Sequence, residues 1–262
     1  MQPREPIRVG SFEVELLPRL PYEVRYTPQS AVIGFAFETQ RGTHAFARDR
    51  TSAFRTCPNS LAYVPRGCDV FSRSREGGEY LVIRTSAAPS GRWPGERRFS
   101  DLVHPPAIGV ARALRRMLLA RDPVNPLALE HGAAALCDMV ADILCGAAAP
   151  RRGSGWMTSR RLTLVDELIE ARMDSKLTVG EIAAALGLSS GFFTRAFRAA
   201  VGTTPHAYIV DRRISRARGL LRSADLGLAD IAAAAGFASH AHMAAQFRQK
   251  LGIVPSALRG RG

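Results

Sequence analysis

Hydrophobic positions recur with two different periods along this chain. Over the first hundred residues they come in short bursts. Residues 12–17 and 22–26 partly alternate apolar and polar side chains, while 31–37, 61–64 and 80–83 are short apolar runs. Turn formers stand between them: Arg41-Gly42, Pro58-Asn59, Pro65-Arg66-Gly67 and Gly77-Gly78. A period of two, or a brief apolar run bounded by turn residues, predicts a β-strand. Short strands punctuated this closely predict a barrel or sandwich.

After Ser86-Ala87-Ala88-Pro89 the period lengthens to that of a helix. Residues 106–120 carry Val110, Leu114, Met117 and Leu118 at helical spacing. Residues 127–144 place Leu129, Ala133, Leu136, Val140 and Leu144 on one face, opposite Glu130, Asp138 and Asp142. That stripe is read as a seam between two copies of the chain, the alternative being that it lies on its own barrel. Residues 146–155 (GAAAPRRGSG) are small, basic and broken by Pro and Gly, as a linker would be. From Met157 onward every segment has helical spacing with short turns between. The expected organisation is a β-rich domain over 1–146 with two trailing helices, a linker over 147–156, and an all-helical domain over 157–262.

The helical part contains a repeat. LTVGEIAAALGLSSGFFTRAFRAAVGTTP (177–205) answers to LGLADIAAAAGFASHAHMAAQFRQKLGIVP (226–255). Ile182-Ala183 and Gly187 return as Ile231-Ala232 and Gly236, at an offset of 49. Phe197-Arg198, Gly202 and Pro205 return as Phe247-Arg248, Gly252 and Pro255, at an offset of 50, so the second copy has gained one residue. Each copy, about 178–201 and 227–251, has the pattern of a helix-turn-helix. Thr178 and Glu181 form a capping box, small Ala183 lets a second helix approach, and Gly187 permits the turn. Ser189 or Ser190 caps the next helix. There Phe193, Ala196, Phe197 and Ala200 share one face, with Gly191, Thr194, Arg195 and Arg198 opposite, where a major groove would meet them. Between the copies, residues 205–222 read as one helix, with Thr204 as cap and Pro205 in its first turn. At 1.5 Å per residue it is about 27 Å long, close to the ~34 Å between successive major-groove segments.

Composition sharpens this picture. The chain has 262 residues, 46% of them hydrophobic and 23% charged, which suits two ordinary domains and excludes wholesale disorder. No apolar run approaches membrane-spanning length, and MQPREPIRVG lacks the apolar core of a signal peptide, so a soluble cytoplasmic protein with no membrane contact is expected. Residues 1–150 carry 19 Arg and 15 acids, while 151–262 carry 17 basic residues and 8 acids. The smaller part therefore holds most of the net +13, which points to a polyanion. Cys57, Cys68, Cys137 and Cys145 form no CxxC pair and are expected as buried free thiols. The β-rich part offers only His44, with His104 far along the chain, so the clustered ligands of a metal-dependent cupin are missing. The His240-Ala241-His242 pair points to different sides of a helix and is assigned to DNA or solvent. No nucleophile, Walker or dinucleotide motif appears. No cofactor and no enzymatic role are expected; the alternative is a cupin-type enzyme carrying a DNA-binding tail. Phe35, Phe37, Phe46, Phe54, Tyr63 and Phe71 are either core or the lining of an effector pocket.

Residues 158–260, above all GFASHAHMAAQFRQKLGIVPSALR, resemble the DNA-binding domain of the AraC/XylS family of bacterial transcription regulators. The resemblance implies two helix-turn-helix units joined by a long helix, with recognition helices in adjacent major grooves of double-stranded DNA. The reading role then falls on Gly191, Thr194 and Arg195, and on His240, Ala241, Ala244 and Ala245. Ser190 and Ser239 at the helix starts, with Arg198 and Arg248 farther along, complete the candidate contacts. Met243 stands where the family usually has an aromatic, and Ala245 where a basic residue is common. Ala62-Tyr63-Val64-Pro65-Arg66-Gly67 resembles the strand and turn of the family's cupin-like sensing and dimerisation domains. The resemblance thus implies a two-domain α+β protein, a homodimeric activator answering to a small-molecule effector, with RNA polymerase as a further partner.

Overall fold

The computed structural model describes residues 5–86, 97–120, 123–146, 155–175, 177–223 and 225–259. Two compact units are present, residues 2–152 and 153–262.

The first unit is β-rich. Its strands are β1 (Ile7–Val9), β2 (Phe12–Leu17), β3 (Tyr22–Tyr26), β4 (Ala31–Ala36), β5 (Gln40–Phe46), β6 (Ser52–Thr56), β7 (Ser60–Val64), β8 (Val70–Ser74), β9 (Tyr80–Thr85) and β10 (Phe99–Val103). They form two antiparallel sheets, a six-stranded one in the order β1-β2-β9-β4-β7-β10 and a four-stranded one in the order β3-β8-β5-β6. Among the described residues no strand pairing closes one sheet onto the other, so the cupin-like barrel is open. The apolar runs predicted from sequence all lie in the larger sheet, apart from residues 22–26. Arg41-Gly42, expected as a turn, lies inside β5. A Cβ at Gly42 would come within 1.9 Å of the Arg73 carbonyl oxygen, so the glycine serves close strand contact there.

One face of the larger sheet is covered by two helices, α1 (Pro105–Leu119) and α2 (Pro126–Leu144), the latter capped by the Asn125 side chain. Val14, Ile33, Phe35, Leu61, Tyr63, Leu81 and Ile83 form one core with Ala107, Ala111 and Leu114 of α1 and with Leu129, Ala133, Leu136 and Val140 of α2. Those four α2 residues are 0% exposed within a single chain. This corrects the expectation of a dimer seam: the stripe packs on its own sheet. Phe35, Phe37 and Tyr63 also belong to this core, the first of the two roles open to them. Phe46 and Phe54 lie on the smaller sheet, both in ring contact with His44, and Phe71 lies beneath the Arg25 guanidinium. A buried ion pair joins Arg115 of α1 to Glu79, and the same guanidinium sits 4.7 Å above the Phe37 ring. Cys137 is buried and Cys57 and Cys68 half-buried, whereas Cys145 is exposed, contrary to expectation.

The second unit is helical: α3 (Ser159–Ala171), α4 (Val179–Ala185), α5 (Ser190–Val201), α6 (Pro205–Ser223), α7 (Leu228–Ala234) and α8 (His240–Leu251), then a 3-10 turn at Pro255–Leu258. Its core gathers Ile182, Phe193, Phe197, Tyr208, Ile214, Leu221, Ile231, Met243, Phe247 and Leu251. The Tyr208 hydroxyl donates to Asp166 at 2.5 Å, fixing α3 to α6 within that core. No described helix is long and apolar enough to cross a membrane. Residues 147–154 of the expected linker lie outside the described residues.

Candidate nucleic-acid interface

Each helix-turn-helix is built by the same bonds. In the first, Gly187 N–H donates to the Ala184 carbonyl and Leu188 N–H to the Ala183 carbonyl, both at 2.9 Å. In the second, Gly236 N–H donates to Ala233 at 2.9 Å and Phe237 N–H to Ala232 at 2.8 Å. Both glycines are left-handed, with φ of +67° and +79°, where an L side chain is strained. Past the turn, the Ser189 hydroxyl accepts from Phe192 N–H at 3.3 Å, and the Ser239 hydroxyl accepts from His242 N–H at 3.1 Å. Ser189, rather than Ser190, is therefore the cap. The extra residue of the second copy is thereby located. Leu188 alone separates turn glycine from cap in the first unit, whereas Phe237-Ala238 separate them in the second. Both second helices end on a left-handed glycine, Gly202 and Gly252, whose N–H groups donate to the carbonyls of Arg198 and Arg248.

The starts of the first helices differ. In α4 the capping box is complete: Glu181 N–H donates to the Thr178 hydroxyl at 3.2 Å, and Thr178 N–H returns to the Glu181 carboxylate at 2.8 Å. The Thr178 backbone, then its hydroxyl, then Arg172 hold the Glu181 carboxyl down at about 2. In α7 the cap is Gly227, which has no side chain to offer. Helix α6 is capped by the Thr204 hydroxyl and touches α5, α7 and α8.

On α5, Ser190, Gly191, Arg195 and Arg198 are exposed and Thr194 is half-buried. On α8, Ser239, His240, Ala241, Ala245 and Arg248 are exposed. Ala244 is not: at 8% exposure it lies beside Met243 and Phe247 on the inner face of α8. Its place among the groove-facing residues is corrected accordingly. Gln249, missed in the sequence, shares the exposed face of Ala241 and Ala245, since it follows them by eight and four positions. Helical spacing alone was enough to find it. His242 rests edge-on against Phe237, while His240 stays in solvent. Among the described residues no group of three His, Cys, Asp or Glu is placed to hold a metal ion.

Most of the described basic residues of this unit fall into two sets. Arg172 pairs with Glu181, Arg212 with Glu170, and Lys250 with Asp211 at 2.9 Å. Arg213 and Arg259 donate to the carbonyls of Ser175 and Leu226. These hold the fold. Arg195, Arg198 and Arg248 are exposed and have no ion-pair partner among the described residues, and the same is true of Arg160 and Arg216. Trp156, just ahead of α3, stands edge-on to Phe192 in the first turn of α5, with ring centroids 5.2 Å apart. The Arg161 guanidinium lies over its ring and donates to its carbonyl at 2.7 Å.

A helix-turn-helix domain family matches residues 182–261. The C-terminal unit is an AraC-type helix-turn-helix domain. The chain is similar to the transcriptional activator NphR of Rhodococcus sp, 31% identical over 138 residues, which is 52% of this chain and 41% of NphR. The chain thus spans about two fifths of that relative's length. It is also similar to the HTH-type transcriptional regulator ExsA of Pseudomonas aeruginosa, 26% identical over 227 residues and 81% of each chain. Among solved structures, a transcriptional regulator of Chromobacterium violaceum with an AraC-type DNA-binding domain is 32% identical, over 38% of this chain and 89% of that one, with a TM-score of 0.37. The match over residues 182–261 takes in both turn glycines, Gly187 and Gly236, and both caps, Ser189 and Ser239.

Proposed function

We propose that this chain is a site-specific double-stranded DNA-binding regulator of transcription, with residues 157–262 on DNA and residues 1–146 as the sensing and dimerisation domain. One observation carries the reading. Two helix-turn-helix units with matching turn bonds leave Arg198 and Arg248, at equivalent positions, without an ion-pair partner among the described residues, while neighbouring basic residues are tied into the fold. Guanidinium groups without a protein carboxylate are free to displace the counterions of a phosphate backbone. The DNA contacts are Ser190, Gly191, Thr194, Arg195, Arg198, Ser239, His240, Ala241, Ala245 and Arg248. The chain acts as an activator in the cytoplasm, in keeping with the name of NphR, with RNA polymerase as its partner, a small-molecule effector, and no catalysis of its own. It works as a homodimer whose contact is not the α2 stripe, because that stripe is internal.

Gel-shift titration of the full chain with mixed-sequence duplexes tests this. Affinity is expected at low salt and should fall linearly in log–log form as salt rises, with a slope of about −0.9 per phosphate neutralised. A folded chain that shifts no duplex at low salt overturns the reading.

A further inference from the structure

We infer that the two helix-turn-helix units divide the work on DNA: α5 reads base edges, and α8 holds the duplex without reading more than one or two positions. The inference rests on the DNA-binding function proposed above and concerns how specificity is distributed within it.

Recognition helices meet base edges mainly through their N-terminal turns. In α5 those turns carry Gly191, Thr194 and Arg195. A Cβ built on Gly191 would lie 3.6 Å from the Arg195 guanidinium. The arginine therefore reaches back across the first turn, and the missing side chain at Gly191 keeps that surface open. A guanidinium placed there presents two donors to the O6 and N7 of guanine.

In α8 the equivalents, fifty residues on, are Ala241 for Gly191, Ala244 for Thr194 and Ala245 for Arg195. Ala244 is turned into the core. Ala241 and Ala245 offer methyl groups, which touch a thymine methyl and nothing else on a base edge. Of the polar side chains nearby, His242 packs its ring edge-on against Phe237, Gln246 is half-buried beside Phe247, and Lys250 pairs with Asp211. Gln249 stands in the last turn, away from the reading end. That leaves His240, at the helix start, with one hydrogen bond to give. Arg248 matches Arg198 near the far end of its helix, where a phosphate is the expected partner, and phosphate contacts position a protein without carrying sequence information.

In vitro site selection with the full chain, on a randomised duplex pool, tests this. The wild type should enrich a site with strong base preference in one half and weak, thymine-leaning preference in the other. Arg195→Ala should lower the preference for the favoured base at one or two positions of the strong half by roughly ten- to a hundredfold. Arg248→Ala should weaken all duplexes by one common factor and leave the selected sequence unchanged. Ala245→Arg should create a new guanine preference in the weak half. Retained low-salt affinity for unselected duplex verifies that each variant is folded. Equal information in the two halves, or an unchanged preference in Arg195→Ala, overturns the division of work while leaving the function intact. No enrichment and no low-salt binding by the folded wild type overturns the function itself, and the inference with it.

Discussion

Gly187 and Gly236 occupy equivalent turns, yet a methyl group would meet different surroundings at each. At Gly187 nothing lies within 4 Å of the Cβ position, so an alanine suffers only the left-handed backbone, at a cost of about 1–2 kcal/mol. At Gly236 the Cβ would fall 1.9 Å from the Met173 carbonyl oxygen. Gly236→Ala should therefore cost clearly more than Gly187→Ala in chemical denaturation, and equal losses would mean that the Met173 backbone gives way. Glu181 offers a second comparison. Its carboxyl is held at about 2 rather than the ordinary 4.5, first by the Thr178 backbone N–H. A carboxyl depressed on folding stabilises the native state above its unfolded value and loses that contribution as the pH falls through the folded value. The stability gap between wild type and Glu181→Ala should thus be full above about pH 4.5 and close towards pH 2. A gap that stays constant across that window would show that the capping box does not hold the charge.

Among elements, α2 separates what a sequence states from what it leaves open. Its periodicity located both ends to within a residue and named the buried face, because an apolar stripe at helical spacing must be covered by something. It does not say by what, and the covering surface here is the sheet of the same chain. Leu136→Ala should accordingly cost about 2–5 kcal/mol as a core cavity. Leu136→Glu should unfold the N-terminal unit, as read by circular dichroism, rather than yield a folded monomer; a folded monomer would return the stripe to an interface. Strands β5, β6 and β8 escaped the sequence reading for a related reason. They carry Arg41, Thr43, Arg55 and Arg73 and are only partly buried, so they lack the apolar run that marks β4 or β9. The helix-turn-helix units were legible almost throughout, because caps, turn glycines and inner faces are each set by local chemistry. Besides the overlooked Gln249, Ala244 was the exception. It borders the inner face, and a helical wheel cannot tell how far the neighbouring Met243 and Phe247 draw the core around it.

For the molecule as a whole, net charge alone suggested a polyanion partner without naming the side chains involved. Pairing does so: of the basic residues in the second unit, those tied to Glu170, Glu181 and Asp211 serve the fold, and those on the outer faces of α5 and α8 are left for solvent or ligand. One contact of that unit also has an optical side. The chain has two tryptophans, Trp93 and Trp156. Replacing Trp93 by Phe leaves Trp156 as the lone indole, 53% exposed, edge-on to Phe192 at the start of the reading helix and beneath Arg161. An indole so placed emits towards the red, and its emission responds to any change in water or charge around the first turn of α5. A duplex titrated into that variant should shift the emission in step with binding, so that the protein signals, without any added label, when its reading helix has met DNA.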